Sequence, residues 1–193
     1  MGQSPAGRES DASVRLLTAA TQMARVEGAG GLTVQGIATA AGVSKALVLY
    51  HFRDKDELVA RLVGWLTRRV IEREHAALDK SGAGTVMEDL WRWLDQELRL
   101  GELRVLVELG CPGGSAQCDA SAESMSKRLA AAEKTLSRVF SILGLPPRVP
   151  VAVVAPVHEA FVSGMAVMTE QQASANHRLT FDVFWLALLN LAE

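Results

Sequence analysis

The chain has 193 residues, 49% hydrophobic and 22% charged, with 6 prolines, 2 cysteines and a formal net charge of −2. This composition can bury a globular core, and it excludes extended disorder, fibrous repeats, a disulfide framework and an overall basic nucleic-acid binder. Charge is unevenly spread, with a balance of +2 over residues 1–80 and −4 over residues 81–193, which is compatible with DNA binding at the N-terminal end.

Met1–Asp11 is small and polar with no apolar signal region, and residues 1–10 read as a mobile arm. The longest apolar stretch, Val149–Val157, is far short of the roughly 20 residues of a spanning helix, so a cytoplasmic chain with no membrane contact is expected. A helix starts at Asp11 or Ser13, with Val14, Leu17, Ala20 and Ala24 on one stripe and Leu16 and Met23 beside it. Gly28–Gly31 stops it. Thr33 suits the N-cap of a short helix ending at Ala41, Gly42 makes the turn, and Ser44 caps a third helix reaching His51 or Phe52. Asp54, with Glu57 as its capping-box partner, opens a long helix toward Leu78. In it Leu58, Leu62, Trp65 or Leu66, and Val70 fall at helical spacing.

Helical segments follow at Val86–Leu100 and Glu102–Leu109, then a polar loop of small residues from Gly113 to Ser121. Met125, Leu129, Ala132, Leu136, Val139 and Leu143 define an amphipathic helix, which Gly144 and Pro146-Pro147 end. A helix from about Pro150 to Gln172, with a kink expected at Pro156, precedes a last one capped by Thr180. That last helix turns Phe181, Phe184, Trp185, Leu188 and Leu191 inward. No strand pattern and no internal repeat interrupts this order, so the expected fold is all-α.

Thr33–Phe52 has the makings of a helix-turn-helix. Two short helices that cross steeply need a small residue at the contact, Ala38, and a glycine at the turn, Gly42. Ile37, Ala41, Val43, Val48 and Phe52 then close a small core on the first helix. Lys45, Ala46, Leu47, Leu49 and Tyr50 are left facing outward, a surface that fits a DNA major groove. The same three helices, taken alone, are also compatible with a plain packing unit in which Leu47 and Leu49 are core.

Val43-Ser44-Lys45 and Leu49-Tyr50-His51-Phe52, followed by Lys55 and Leu58, resemble the signature of the TetR family of bacterial transcriptional regulators. The resemblance implies an N-terminal headpiece over residues 11–55 and a helical effector-binding and dimerisation domain over 56–193. It places Thr33, Gln35, Ser44, Tyr50, His51 and Lys55 at phosphates, with Gln35 also within reach of a base. Lys45, Ala46, Leu47 and Leu49 fall at base edges. Aliphatic Ala46, Leu47 and Leu49 offer only contact with thymine methyls, so direct readout falls to Lys45, on guanine.

The resemblance further implies a homodimer on double-stranded operator DNA. Its interface would be the last two long helices through Val154, Val162, Phe184, Trp185 and Leu188, setting recognition helices about 34–36 Å apart. Met87, Trp91, Leu94, Met125, Phe161 and Met165, with Glu108 and His158 as polar anchors, are candidates for an apolar pocket that takes a small-molecule effector. Residues of these kinds at helical spacing are more often plain core, which is the reading for any one of them taken alone. Cys111, Cys118, His158 and His177 match no zinc spacing, and no metal or cofactor is expected. Two rivals stand beside the ligand-released repressor: a dimeric helical ligand-binding protein without DNA, and an enzyme using Glu108, His158 or a cysteine. No nucleophile, base and orienting group are arranged together for the second.

Overall fold

The computed structural model describes residues 10–110, 113–168 and 176–190. Among them are nine α-helices and no strand: α1 (Asp11–Glu27), α2 (Val34–Ala41), α3 (Lys45–His51), α4 (Lys55–Leu78), α5 (Val86–Leu100), α6 (Glu102–Glu108), α7 (Ser115–Leu143), α8 (Val151–Val167) and α9 (His177–Leu189). The all-α expectation holds. The arm at residues 1–9, Cys111, the extension of α8 to Gln172 and the inward Leu191 lie outside the described residues.

Two apolar cores organise the chain. The first joins α1–α3 to the start of α4, through Leu58, Leu62 and Leu66, and takes in Val105, Leu106 and Leu109 from α6 and the residue after it. The second fills the space between the rest of α4 and helices α5, α7, α8 and α9. The change from one core to the other falls within α4, between Leu66 and Val70. The first core therefore extends past residue 55 along α4.

Local chemistry sets most element ends where the sequence puts them. Thr33 accepts from the Gly36 N–H, Ser44 from the Leu47 N–H and Asp54 from the Glu57 N–H. Each satisfies a donor that the first helical turn leaves without a partner. The Glu57 carboxylate closes the box one residue early, accepting from the backbone and guanidinium of Arg53 rather than from Asp54. Gly42 takes a left-handed φ of +67°, which a Cβ would oppose, and lets α3 turn across α2.

Four expectations are corrected. Residues 115–121 are not a loop but the first turns of α7, because Asp56 on α4 supplies the missing cap by accepting from the Ala116 and Gln117 N–H groups at 3.0 and 3.1 Å. A Cβ at Gly114 would stand 2.5 Å from that carboxyl carbon, so glycine is what allows the close approach. Thr180 lies inside α9, which starts at His177, and its N–H donates to the Asn176 carbonyl. Val14 is exposed on α1, and Ser13 takes the buried place. Met125 is exposed on α7, whose inner face carries Ser124, Arg128, Ala131, Thr135 and Leu136 instead.

Candidate functional site

The headpiece core leaves α3 standing proud. Ile37, Ala38, Val48 and Phe52 are buried and fix α2 against α3 and both against α1. On the free side Lys45, Ala46 and Leu49 are exposed and Leu47 is half-buried. Tyr50 is 82% exposed, in edge contact with His51 at 5.3 Å between ring centroids. Thr33, Gln35, Ser44 and Lys55 are exposed on the flanking turns. His51 is half-buried, its Nδ1 3.4 Å from the Ser13 hydroxyl, so this ring also ties α3 to α1. Among the described residues no carboxylate pairs with Lys45 or Lys55, whereas Arg53 is held by Glu57 at 2.7 Å.

Besides α4, which runs through both cores, the short helix α6 connects this headpiece to the rest. The Arg104 guanidinium on α6 donates to the Arg25 carbonyl at the end of α1 at 2.6 Å. The Glu108 carboxylate accepts from the Ala29 N–H at 3.1 Å. At its other end α6 is anchored by charge: Glu102 pairs with Arg69 and Arg73 of α4, and Arg73 also pairs with the fully buried Glu97 of α5.

Deeper in the second core, polar groups meet around a gap of about 10 Å³ lined by α4, α5, α6, α7 and α8. Arg128 is ion-paired with Glu159 and donates to the Ser163 hydroxyl at 2.6 Å. Glu74 accepts from the Thr135 hydroxyl at 2.8 Å, and burial pushes its carboxyl up to about 7. Burial pushes His158 down to about 4, so the ring is neutral there. The Trp93 Nε1 and His158 Nδ1 atoms are buried with no hydrogen-bond partner.

Residues 16–62 match the model of the tetR family of bacterial regulatory proteins. The headpiece is a TetR-family DNA-binding domain. Solved structures agree in fold over nearly the whole chain. They include the reduced form of E. coli NemR (14% identity, TM-score 0.73, covering 95% of this chain and 98% of that one). A transcriptional regulator from Rhodococcus sp. Rha1 is similar too (17%, 0.71, 93% and 97%). So is SmeT in complex with triclosan (20%, 0.66, 92% and 91%). No curated protein matches the sequence.

In the TetR-type headpiece all ten residues expected at DNA lie on α2, α3, their N-caps or the first residue of α4, and only Leu47 and His51 are partly turned inward. The pocket residues are not gathered. His158 lines the central gap. Met87, Trp91 and Phe161 pack around the second core, in which Leu94 is buried. Glu108 and Met165 border a separate groove of about 540 Å³ between α1, α5, α6 and α8, and Met125 faces outward. Four of the five residues expected at a dimer interface face inward. Val154, Val162, Trp185 and Leu188 are buried within this single chain, and Phe184 stacks on Phe161 at 3.9 Å.

The exposed apolar stripes of α8 and α9 are in another register: Val153, Val157 and Val167 on one, Leu179, Val183 and Leu186 on the other. Spacings of three and four were visible for both sets, but which set faces the monomer core is decided by packing. The polar cluster was missed although its signal was present. Leu66, Val70, Glu74 and Leu78 step by four along α4, so Glu74 occupies a core position, as Arg128 does four residues after Ser124.

Proposed function

We propose that this TetR-type protein is a cytoplasmic homodimer that binds operator DNA and represses until a small, largely apolar ligand enters the second core and releases it. The observation that carries the proposal is α3, held out on its own small core with Lys45, Leu49 and Tyr50 exposed. In this reading Lys45, Ala46, Leu47 and Leu49 meet base edges, and Thr33, Gln35, Ser44, Tyr50, His51 and Lys55 hold phosphates. The family match is to regulatory proteins, and the proposal is accordingly of a regulator rather than an enzyme. Among the described residues no helix is long and apolar enough to cross a membrane.

The dimer face we assign to the stripe Val153, Val157, Leu179, Val183 and Leu186. Water-exposed valines and leucines aligned on two adjacent helices favour burial against a second copy, and two-fold symmetry then sets two headpieces on successive turns of one DNA face. Ligand release needs a link from core to headpiece, and α6 supplies one. Leu103 lines the central gap, Arg104 and Glu108 bond to the headpiece, and Leu106 packs in its core. Swelling of the gap moves α6 and so changes the seat of α1. SmeT, whose structure holds triclosan, supports a ligand site within this fold.

The test is selection of bound duplexes from a random pool, followed by gel shifts at two salt concentrations. The expected product is a palindrome with half-sites one helical turn apart and a steep loss of affinity with salt. Failure to enrich any duplex would overturn the proposal.

A further inference from the structure

The central gap has an unbalanced set of charges. Three ionisable side chains from three helices converge on it, Glu74 of α4, Arg128 of α7 and Glu159 of α8, and all three are at least nine-tenths buried. They amount to two carboxyl groups against one guanidinium. Arg128 is already committed to Glu159 and Ser163. Glu74 accepts from a neutral partner, the Thr135 hydroxyl. His158 does not supply the missing positive charge, because its burial keeps the ring neutral. A buried carboxylate with no cation of its own is held either by a proton or by an incoming cation.

A second observation points to an occupant. Trp93 and His158 both line this gap, and the Trp93 indole N–H and His158 Nδ1 atom are buried without hydrogen-bond partners. Burying such groups unpaired is costly, and native cores rarely keep two together unless something else satisfies them. Trp93 also brings to the lining an aromatic ring, a group whose face attracts positive charge. Val70, Ile71, Leu103, Ala132 and Val162 complete the lining with apolar surface.

We infer that the effector is a lipophilic monocation, an amine on an apolar body, whose charge is held by Glu74 between Trp93 and the Arg128–Glu159 pair. The inference rests on the ligand-release reading above and names the class of ligand. At about 10 Å³ the gap holds at most one water. The ligand therefore enters by parting the helices, and Leu103 of α6 is among the side chains it displaces. The protonated ammonium meets the ionised Glu74, so any proton on that carboxyl leaves to solvent as the ligand binds.

A matched trio of probes tests the charge: 4-phenylbutylamine, 4-phenylbutan-1-ol and 4-phenylbutanoate, titrated calorimetrically and by tryptophan fluorescence. The amine is expected to bind about 10-fold or more tighter than the alcohol, as a charge-assisted contact implies, with the anion weakest. Glu74→Gln is expected to reduce the amine to the level of the alcohol. Amine affinity for the unaltered chain should also rise from pH 6 to pH 8 while that of the alcohol stays flat. That measurement involves no variant, and the charged groups around Glu74 are Glu97 on α5, Arg128 on α7 and Glu159 on α8.

Anion binding equal to the amine would assign the site to Arg128 and overturn the inference. So would equal binding of all three, binding of none, or an amine preference that survives Glu74→Gln. Operator binding by the unaltered chain without any probe reads the regulator proposal separately, so the two fail independently.

Discussion

Replacing Glu74 by glutamine should make the protein more stable, and by an amount that depends on pH. The side chain is buried, and its carboxyl titrates at about 7 in the folded chain against an ordinary value of 4.5. The folded state thus binds the proton more tightly than the unfolded one. Its contribution to stability is present in full below about pH 4.5 and is lost as pH rises through 7. The shift corresponds to about 3 kcal/mol once the group is ionised, at about 1.4 kcal/mol per pH unit. Glutamine keeps an oxygen for the Thr135 hydroxyl and has no proton to lose. Glu74→Gln should therefore exceed the parent by up to about 3 kcal/mol at pH 8, with the difference closing near pH 5.

His158 acts in the opposite sense. Its pKa is pushed down from 6.5 to about 4, so its contribution is present above pH 6.5 and lost as pH falls toward 4. Both proteins contain it, and it cancels in the difference. The assay is urea unfolding followed by tryptophan fluorescence at pH 5, 6, 7 and 8, at one protein concentration so that any self-association contributes equally. A variant less stable than the parent at pH 8, or a difference constant with pH, would refute the reasoning.

On the DNA side, Lys45→Ala should flatten the preference among operator variants, whereas Lys55→Ala or Tyr50→Phe should weaken binding to all of them alike, as competition gel shifts would show. Equal losses on every variant for Lys45→Ala would remove it as a base reader. Val183→Arg places a charge in the exposed apolar stripe of α9 and should give a monomer by sedimentation with headpiece folding intact by circular dichroism; an unchanged dimer would move the interface elsewhere. Arg104→Ala and Glu108→Ala each cut one bond between α6 and the headpiece. They should leave effector binding in place while reducing the effector's effect on operator affinity, which ordinarily spans about 5–150-fold in coupled systems. Ser44→Ala removes the α3 cap and should cost about 1 kcal/mol in thermal or urea unfolding.

How much of this was legible in the sequence depends on the range of the interaction. The caps at Thr33, Ser44 and Asp54, the turn at Gly42 and the outward face of α3 were readable, because each is settled by residues three or four positions apart and the headpiece closes on a core supplied largely by neighbours in the chain. The start of α7 was not, since its cap is Asp56, some 60 residues earlier on α4. Periodicity showed that α8 and α9 carry apolar residues on several sides, but an all-round apolar helix does not say which side meets its own chain, and the packing of Val154, Trp185 and Leu188 decided that. The expected pocket residues are dispersed for the same reason: Met125 and Glu108 have suitable chemistry, but only the fold turns one outward and places the other at the headpiece. Local sequence determined the DNA-reading end of this protein. The tertiary structure alone decided which buried charges meet, because Glu74, Arg128 and Glu159 come from three distant helices and face one another only once those helices pack.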